Sequence, residues 1–432
     1  MSIRAPARRV KQDAPDPYDP PPPPPRPPGA PPAPASPPAV IPVLVNDRPL
    51  LGRRTGIGQY LAQLLAHWPP DARTRPRGLI ETFTLGTRPR RPRPAALPGL
   101  DALTPLDLRP LGALPPPAGG RPGMTPARRA WELASPLGVR AARALGRGAV
   151  LFEPNHIPPA RARPTLTTIH DLSVLELPGH HPAHRVAAWR RGLERAVETT
   201  DRFVCVSRAT ADAMRRVLNV DESRLAVVPL ASRFERAPAD WTPATVRARL
   251  GLPDRYWTHV GTIEPRKNVP VLLDALGRLP GAGATLILAG KPGWGSPAFW
   301  RSLADHPAAG RVLVAGYVSD AQAAALMVGA RAVLCPSIYE GFGLPTLEAM
   351  ALGTPVAVST AASLREVVAG AAPTLDPHDA GAWDAFMRAA LDDGPERTTA
   401  IERGRARAAE FSWAGTARAH DALLASLAGE RG

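Results

Sequence analysis

Two glutamates, eight positions apart, are the residues of this chain whose type and spacing best suit chemistry. Glu340 and Glu348 lie in the run SIYEGFGLPTLEAMALGTPV, Ser337 to Val356. Pro345 fits the first turn of a helix, where a missing N–H costs nothing. Glu340 is therefore predicted in a loop before a helix, and Glu348 about one turn inside that helix. The glycines between them allow backbone N–H groups to approach a ligand closely.

This layout predicts a ligand that carries hydroxyl groups at both ends and phosphate between them. The two carboxylates offer hydrogen-bond acceptors for hydroxyl groups. The N-terminus of the helix offers backbone donors and the positive end of a dipole for an anion. A nucleotide sugar has this arrangement of groups.

Two further patterns supply groups that could complete such a site. In GTIEPRKN (Gly261 to Asn268), Arg266 and Lys267 follow a predicted strand, where two cations could neutralise a diphosphate leaving group. The alternative is a solvated basic turn. His170 follows the predicted strand TLTTI and could hydrogen-bond a sugar hydroxyl. The alternative is a structural histidine, with Asp171 capping the next turn.

Other polar or glycine-rich motifs have simpler interpretations. Ser207 is predicted to cap the N-terminus of the helix that follows it. Gly56 and Gly58 form a predicted turn that shares two glycines with the dinucleotide fingerprint but lacks the third. The histidines of HHPAH have no accompanying carboxylate pattern, so we assign them no metal. They are His180, His181 and His184.

Alternating strand-like and helical patterns would position these residues. In the first half, the strand-like runs are 40–46, 149–152, 165–169, 202–206 and 225–230, with helical patterns at 184–198 and 209–218. After a linker, 232–242, strands are predicted at 256–262, 285–290, 311–317, 332–336 and 355–359, with helices at 268–279, 320–329 and after Pro345. This alternation predicts two doubly wound α/β domains with a cleft between them, and ligands bind at the carboxyl ends of such strands.

The composition of the chain argues against a membrane-spanning protein and against a secreted one. The 432 residues include no apolar run long enough to span a membrane and no signal-peptide core, so we expect a cytoplasmic protein. Cys205 and Cys335 lie in apolar runs and are predicted to be packing thiols. Residues 1–39 are proline-rich and predicted to be disordered, residues 86–122 are predicted to be loop, and residues 126–148 a basic helix.

The charge of the chain suits an anionic partner. The net charge is +15, and residues 1–39 contribute five cations and three aspartates, or +2, which leaves +13 for the rest. A nucleotide diphosphate, an anionic membrane surface or a nucleic acid would fit this balance. Of these three, we expect no nucleic-acid partner. The alternative is a compositional bias, because arginine, alanine and proline dominate the chain.

Taken together, these residues resemble the family-4 glycosyltransferases, which are retaining enzymes of the GT-B fold. The matching stretches run in family order from about residue 40 to 415. They are TGIGQY, TIHDLS, VCVSRAT, VVPL, VGTIEPRKN, LILAGKPGW, AGYVSDAQAAALM and SIYEGFGLPTLEAMALGTPVAVSTAASLREVV. The last stretch, with its two glutamates around GFGLP, is the most specific.

The resemblance implies a role for each matching residue. Glu348 would bind the ribose hydroxyls of the nucleotide, and Arg266 and Lys267 would bind the diphosphate. Glu340 and His170 would hold the donor sugar. The remaining donor contacts would come from backbone or loop positions: Gly341, Phe342, Gly343 and Leu344 at the sugar, Tyr317 and Val318 at the base, and Gly56 and Gly58 at the phosphates or acceptor.

The resemblance also implies a domain organisation. Residues 1–39 would be the tail, 40–235 the acceptor-binding domain, 243–412 the nucleotide-sugar-binding domain, and 413–432 a helix that crosses back to the first domain. One departure stands at the hinge. After VVPL the family commonly has glycine and an acidic residue, whereas this chain has Ala231, Ser232 and Arg233, which leaves the hinge contacts unassigned.

The implied chemistry is front-face transfer with retention at the anomeric carbon, without metal or other cofactor. The leaving diphosphate would accept the proton of the acceptor, unlike retaining glycosidases, which use a carboxylate nucleophile. The sequences GTIEPRKN and HDLS most resemble those of mannosyltransferases in the family. GDP-mannose is therefore the first choice of donor, with UDP-linked hexoses as the other donor class.

The expected acceptor is a saccharide or a lipid-linked saccharide used in cell-surface polysaccharide synthesis. The basic helix motivates contact with the inner face of the plasma membrane, and a solvated basic face is the alternative. Two other functions stay open from the sequence: a nucleotide-sugar-binding scaffold without turnover, and an epimerase or phosphorylase of the same fold.

Overall fold

The computed structural model describes residues 40–50, 56–78, 97–111, 149–279, 283–295 and 297–429. The predicted disordered tail, 1–39, and the predicted basic helix, 126–148, lie outside the described residues. Most predicted strands and helices are present, with bounds within three residues of those predicted.

Strands and helices alternate along most of the described chain. Strands β1 to β13 are, in order, Ile41–Val45, Thr74–Gly78, Arg109–Pro110, Val150–Glu153, Thr165–Ile169, Arg202–Cys205, Leu225–Val227, Tyr256–Val260, Thr285–Ala289, Val312–Gly316, Ala332–Cys335, Val356–Ser359 and Thr374–Leu375. Helices α1 to α13 are Gly56–Ala66, Ser173–Glu176, Ala183–Thr199, Arg208–Leu218, Pro243–Leu250, Val269–Gly277, Pro297–Ala304, Asp320–Gly329, Leu344–Leu352, Ala362–Val368, Ala380–Ala389, Pro395–Ala408 and Trp413–Gly429.

The first half of the chain builds a parallel sheet of order β2-β1-β4-β5-β6-β7. Its central strands β4 and β5 are buried at every residue, as expected where helices cover both faces of a parallel sheet. The order turns back between β1 and β4. His170 follows β5 directly and so lies at the carboxyl edge of this sheet.

The second half builds a sheet of order β13-β12-β11-β8-β9-β10-β3. From β8 the chain runs outward through β9 and β10, then returns to β11 and runs the other way. The loops that follow β8 and β11 therefore leave the sheet in opposite directions, and the crevice between them is where such sheets bind ligands. Arg266 and Lys267 lie in the first of these loops and Glu340 in the second.

A segment of the first half of the sequence completes the second sheet. Strand β3 pairs antiparallel with β10, so residues 97–111 cross to the other half. Leu103 is 2% exposed there, and the amide of Leu106 donates to the carbonyl of Leu250 at 3.3 Å. The prediction of continuous loop over 86–122 is wrong for this part, because β10 is an edge strand whose unpaired backbone groups accept a partner.

The last helix, α13, returns to the first half, as predicted. The indole of Trp413 donates to the carbonyl of Ser232 at 2.9 Å. Farther along the helix, His420 lies 2.8 Å from the hydroxyl of Tyr60 on α1. No helix among the described residues is long and apolar enough to cross a lipid bilayer.

Two local predictions concern small residues. Gly56 and Gly58 do not form a turn before a helix, because α1 begins at Gly56 and includes both. Burial of the apolar side of α1, with Tyr60 and Leu64 at most 1% exposed, outweighs the low helix propensity of glycine. Both cysteines are buried free thiols, as predicted.

Candidate functional site

The crevice of the second sheet brings the predicted cations and carboxylate into one cluster. The ammonium group of Lys267 and the hydroxyl of Ser337, at 2.7 Å, both donate to Glu340 Oε1. Arg266 Nη1 donates to Glu340 Oε2 at 3.2 Å and to the carbonyl of Tyr339 at 3.1 Å. We call Glu340, Lys267, Arg266 and Ser337 the Glu340 cluster.

The charges of this cluster determine its protonation. Burial by itself would raise the pKa of Glu340, but the positive charges of Lys267 and Arg266 outweigh it and lower the pKa to about 2. Glu340 is therefore ionised at neutral pH. An ionised carboxylate only accepts hydrogen bonds, so it suits recognition of hydroxyl groups rather than proton donation.

The two halves meet at the backbone of Gly341. A Cβ atom placed on Gly341 would lie 1.6 Å from the carbonyl oxygen of His170, so no other residue fits here without movement. Ser207 Oγ donates to the carbonyl of Gly341 at 2.6 Å and also accepts from the amide of Thr210. The N-cap predicted for Ser207 is therefore correct, and the same hydroxyl also joins the halves.

His170 lies beside this contact, and one of its two ring nitrogens is already hydrogen-bonded within the protein. Its Nε2 lies 2.8 Å from the carbonyl of Pro154, and because a carbonyl only accepts, Nε2 must carry the proton. Burial lowers the pKa of His170, so the ring is neutral and Nδ1 is left as an acceptor. The edge of the ring packs on Tyr60, with centroids 4.8 Å apart. The turn predicted at Asp171 is present, since its carboxylate accepts from the amide of Ser173 at 2.9 Å.

The helix predicted after Pro345 is α9, and it begins at Leu344. Gly343 precedes it with φ of 101°, a left-handed conformation that favours glycine. Phe342 points into the core and packs edge-on against Phe411 at 5.9 Å. Only the backbone of Phe342 is therefore available to a ligand, as the predicted role requires.

Glu348 is fully buried in α9 and is bound by a residue that the sequence left unassigned. Arg233 Nε and Nη2 donate to its two carboxylate oxygens at 2.5 and 2.8 Å. Arg233 Nη1 also donates to Asp320 at 2.7 Å, and Asp320 accepts from Gln59 of α1 at 2.8 Å. The departure after VVPL was the sequence signal for this contact.

The position predicted for the base lies at the end of β10. Gly316 has φ of 62°, and Tyr317 follows it with half of its surface exposed. Val318 is partly buried against the core. The next residue, Ser319, caps α8 by accepting from the amide of Gln322. Tyr317 thus presents an exposed face that a ligand could contact.

A second cluster lies beside the first, and no sequence pattern predicted it. His181 is 8% exposed and its ring lies 5.0 Å from that of Trp294, which comes from the loop after β9. Arg185 of α3 lies over the same indole at 4.6 Å. Within the described part of the chain, neither ring nitrogen of His181 has a hydrogen-bond partner, and nor does Arg185 Nε. We call His181, Arg185, Trp294 and the nearby Glu264 the His181 cluster.

Arg266 joins the two clusters. Its Nε forms an ion pair with Glu264 Oε1 at 2.6 Å. Burial raises the pKa of Glu264 despite the nearby charges of Arg266 and Lys267. Histidine spacing alone could not reveal this cluster, because its members come from three separate loops or helices.

Two other features bear on where a ligand could bind. A cavity of about 750 Å³ lies between linker residues 231–241 and the segment 405–414, but none of the predicted site residues lines it. Among the described residues, no three His, Cys, Asp or Glu side chains are grouped closely enough to hold a metal ion.

Two family models match the chain. The one described as glycosyltransferase family 4 matches residues 87–231, and the one described as glycosyl transferases group 1 matches residues 246–407. The O-antigen chain mannosyltransferase B of Escherichia coli is 34% identical over 294 residues, which are 67% of this chain and 74% of that protein. A D-inositol 3-phosphate glycosyltransferase of Mycolicibacterium smegmatis is 34% identical over 54% of each chain, so this chain spans about half of that relative.

Solved structures share the fold. Sucrose-phosphate synthase from Thermosynechococcus elongatus superposes with a TM-score of 0.62 at 20% identity, over 90% of this chain and 100% of that one. HepE of Anabaena, solved in complex with UDP-glucose, superposes with a TM-score of 0.62 at 17% identity, over 89% and 99%. At these identities the similarity shows the architecture, and the predicted pair of doubly wound domains is confirmed.

Proposed function

This chain belongs to glycosyltransferase family 4 and has the GT-B fold, and on that premise we propose that it transfers a hexose from a nucleotide sugar to a saccharide acceptor, with retention of anomeric configuration. Mannose carried by GDP is the first choice of donor, because the E. coli relative is a mannosyltransferase. A UDP-linked sugar is the second choice, because HepE was solved with UDP-glucose. Transfer to a lipid-linked acceptor at the inner face of the plasma membrane is also part of the proposal.

The observation that carries the proposal is the Glu340 cluster at the N-terminus of α9. Both cations pair with Glu340, and Arg266 also pairs with Glu264 and donates to the carbonyl of Tyr339, yet an ammonium has three donors and a guanidinium five. Both side chains can therefore also donate to the diphosphate. The backbone N–H groups at the start of α9 add donors and a positive dipole end.

The transfer itself would proceed at the front face of the sugar. The acceptor oxygen forms a bond to the anomeric carbon while the bond from that carbon to the diphosphate oxygen breaks. The acceptor proton passes to the leaving diphosphate oxygen, so no protein carboxylate has to form a covalent bond. Glu340, ionised and paired with two cations, would accept a hydrogen bond from a sugar hydroxyl, and His170 Nδ1 would accept another.

The proposed ribose contact needs a change at Glu348. Both of its oxygens already accept from Arg233. A carboxylate offers about four lone-pair sites, and a bidentate arginine uses two of them, so ribose hydroxyls can share the group if Arg233 shifts enough to admit them. Arg233 also donates to Asp320, the first residue of the helix that follows the proposed base position at Tyr317 and Val318.

A donor screen followed by product analysis tests this function. We expect one of the GDP-, UDP- or ADP-sugars to raise the melting temperature of the protein, because a ligand that binds only the folded state stabilises it. We then expect the same donor to yield a glycoside with the α or β configuration it started with, as read by NMR. Binding without transfer would support a scaffold, an epimerised donor an epimerase, and a sugar phosphate a phosphorylase. Inversion of configuration would contradict the proposed mechanism.

A further inference from the structure

The segment that follows β4 holds His170 at two points. The carbonyl of Pro154 accepts from His170 Nε2 at 2.8 Å, which fixes the ring. The ring of His156 fixes the backbone, because its Nε2 accepts from the amide of His170 at 3.1 Å. The amide of Asp171 donates to the same nitrogen at 3.3 Å. One carbonyl and one imidazole therefore determine where both the side chain and the backbone of His170 lie.

The protonation state of His156 follows from these bonds. A backbone N–H only donates, so Nε2 of His156 must be the nitrogen without a proton. Burial lowers the pKa of His156 to about 3, so the ring is neutral at neutral pH and its proton lies on Nδ1. Nδ1 then donates to the side-chain oxygen of Asn155 at 3.0 Å. Both ring nitrogens are thus used, one as donor and the other as acceptor.

The backbone of His156 has an uncommon conformation. Its φ is 64°, in the left-handed region. Three other non-glycine residues of the described ranges have a positive φ, and each of them lies at a helix end: Asn219, Asn268 and Ala369. His156 lies at no helix end. Residues held in such conformations cost free energy, and they cluster at functional sites, where the surrounding structure maintains them.

Contacts on several sides maintain this conformation of His156. Its amide donates to the carbonyl of Thr168 in β5 at 3.0 Å. Its ring packs edge-on against Trp189 of α3, with centroids 4.9 Å apart. Its partner Asn155 is fixed in turn, because the amide of Asn155 donates to Glu153 at 2.8 Å. With 2% of its surface exposed, His156 is a buried part of the protein and not a surface for a ligand.

These contacts decide which atom His170 offers to a ligand. His170 is partly exposed at the carboxyl edge of the first sheet. Since Nε2 donates to Pro154, Nδ1 is the nitrogen that can accept from a sugar hydroxyl. Groups that bind a substrate have to be held within about 0.5 Å of the productive geometry by the residues behind them. His156 is the side chain that holds the backbone here.

We propose that His156 is a positioning residue for the donor sugar: it fixes the backbone at His170 and Asp171, so that His170 Nδ1 is held in place to accept from a hydroxyl of the hexose. This inference rests on the proposed function, because it concerns the sugar contact of the same site. It goes further in that His156, without touching the ligand, contributes to binding of the hexose and not to binding of the nucleotide.

The test compares three variants of the full chain. His156→Leu removes the acceptor nitrogen. His156→Gln supplies a carbonyl oxygen that can take the position of Nε2, so it should keep the bonds to both amides. His156→Asn has too short a side chain to reach these amides, but asparagine tolerates a left-handed φ. It therefore removes the contact without adding backbone strain, and it serves as the loss variant if His156→Leu does not fold.

The matched control is His306→Leu. His306 Nδ1 also accepts from a backbone amide, that of Ala308, at 3.1 Å. His306 precedes β10 and so lies at the amino edge of the second sheet, opposite to the crevice. This substitution removes the same kind of bond outside the proposed site.

The measurement is a ratio of two affinities from titration calorimetry. One is for the nucleotide sugar selected in the donor screen, and the other is for its nucleoside diphosphate alone. His170 would contact the sugar only, so the nucleoside diphosphate should bind all forms alike. In His156→Leu and His156→Asn we expect the nucleotide sugar to bind about tenfold more weakly relative to the diphosphate, the effect of about one hydrogen bond. His156→Gln and His306→Leu should stay within about twofold of wild type.

A double-mutant cycle with His170→Ala separates positioning from a general effect on the fold. If His156 acts through His170, then His156→Leu has no further effect on the ratio once His170 is alanine. A second tenfold loss in the double variant would overturn the inference. So would an equal fall in affinity for the nucleoside diphosphate, or a loss in His156→Gln as large as that in His156→Leu.

The same titrations separate this inference from the proposed function. If wild type binds a nucleotide sugar and the ratio is unchanged in His156→Leu and His156→Asn, the positioning role is wrong and the proposed function stands. If wild type binds no nucleotide sugar, the proposed function fails and the inference fails with it.

Discussion

The Glu340 cluster and the His181 cluster lie on either side of Arg266. They differ in whether their central polar side chain has hydrogen-bond partners within the protein. Glu340 accepts from two cations and a hydroxyl, and its pKa falls to about 2. His181, no more exposed, has no hydrogen-bond partner within the described ranges. The carboxylate of the first cluster is thus satisfied by groups of the protein, whereas the imidazole of the second cluster is not.

This difference predicts opposite effects of mutation on stability. Removing one partner from a satisfied buried ion pair leaves an uncompensated charge and is strongly destabilising. Removing a polar group that has no partner removes its desolvation cost. Mutation should therefore lower stability in the Glu340 cluster and raise it at His181.

The substitution Glu340→Gln should have the largest effect. It leaves Lys267 and Arg266 without their shared charge, and we expect the free energy of unfolding to fall by about 3–5 kcal/mol at pH 7. The folded-state pKa is lowered, so this contribution is complete above the unfolded pKa of about 4.5 and is lost as pH falls toward 2. Urea unfolding of wild type and variant at several pH values measures it.

The control for this variant is Glu402→Gln, an exposed glutamate on α12. Its stability should stay within about 0.5 kcal/mol of wild type. A gap between wild type and Glu340→Gln that does not narrow from pH 6 to pH 3 would show that the carboxylate charge is not what stabilises the cluster.

The substitution Lys267→Ala should abolish most of the proposed activity. Loss of one preorganised donor at a developing negative charge costs about 10²–10³-fold in kcat, or about 3–4 kcal/mol. Steady-state kinetics with the donor from the screen gives this value. Lys291→Ala is the matched control, since Lys291 is an exposed lysine in the loop after β9. Full activity of Lys267→Ala would contradict the proposed role of Lys267 in binding the diphosphate.

The substitution Arg233→Lys tests the other satisfied carboxylate, Glu348. Lysine keeps the charge but cannot reproduce the bidentate fork and the third bond to Asp320. We expect the free energy of unfolding to fall by about 1.5–3 kcal/mol, the value of a hydrogen bond to a charged group. Arg236→Lys, an exposed position of the same linker, should be neutral. Equal stability of the two variants would contradict the pairing seen at Glu348.

The substitution His181→Leu should have the smallest effect and the opposite sign. Because no described group hydrogen-bonds the ring, we expect the free energy of unfolding to rise by about 1 kcal/mol. Thermal and urea unfolding, with His184→Leu as the comparison, measure it. A loss of stability in His181→Leu would mean that the imidazole has a partner in the folded protein, and the contrast between the clusters would disappear.

Most of the fold could be predicted from the sequence because the spacing of apolar residues shows which side chains are buried. Strands such as β9 and β11 are short, mainly apolar runs, and α8 begins and ends where its pattern does. Strand β2 was missed for the converse reason. Its sequence, TRPRG, carries proline, glycine and two arginines, and it can be a strand because it lies at the edge and pairs with β1 alone.

The site could be predicted only where its residues share a local motif. Glu340, Glu348, Arg266 and Lys267 lie in recognisable loops, and the structure brings Glu340, Arg266 and Lys267 together. Their assigned roles stay predictions. The contacts of Arg233 and His181 depend on residues more than a hundred positions away, such as Glu348 and Trp294. No local sequence pattern shows which residues so far apart in the chain come into contact.

The crossing of residues 97–111 has a consequence for anyone who exchanges parts between related enzymes. A cut in the linker 232–242 looks natural from the order of strands, yet it leaves β3 on the N-terminal fragment and removes the neighbour of β10. In a chimera made at that cut, β3 comes from one parent protein and β10 from the other. Leu103 must then pack against a surface that evolved with another sequence. The units that recombine cleanly are therefore interleaved along the chain rather than consecutive.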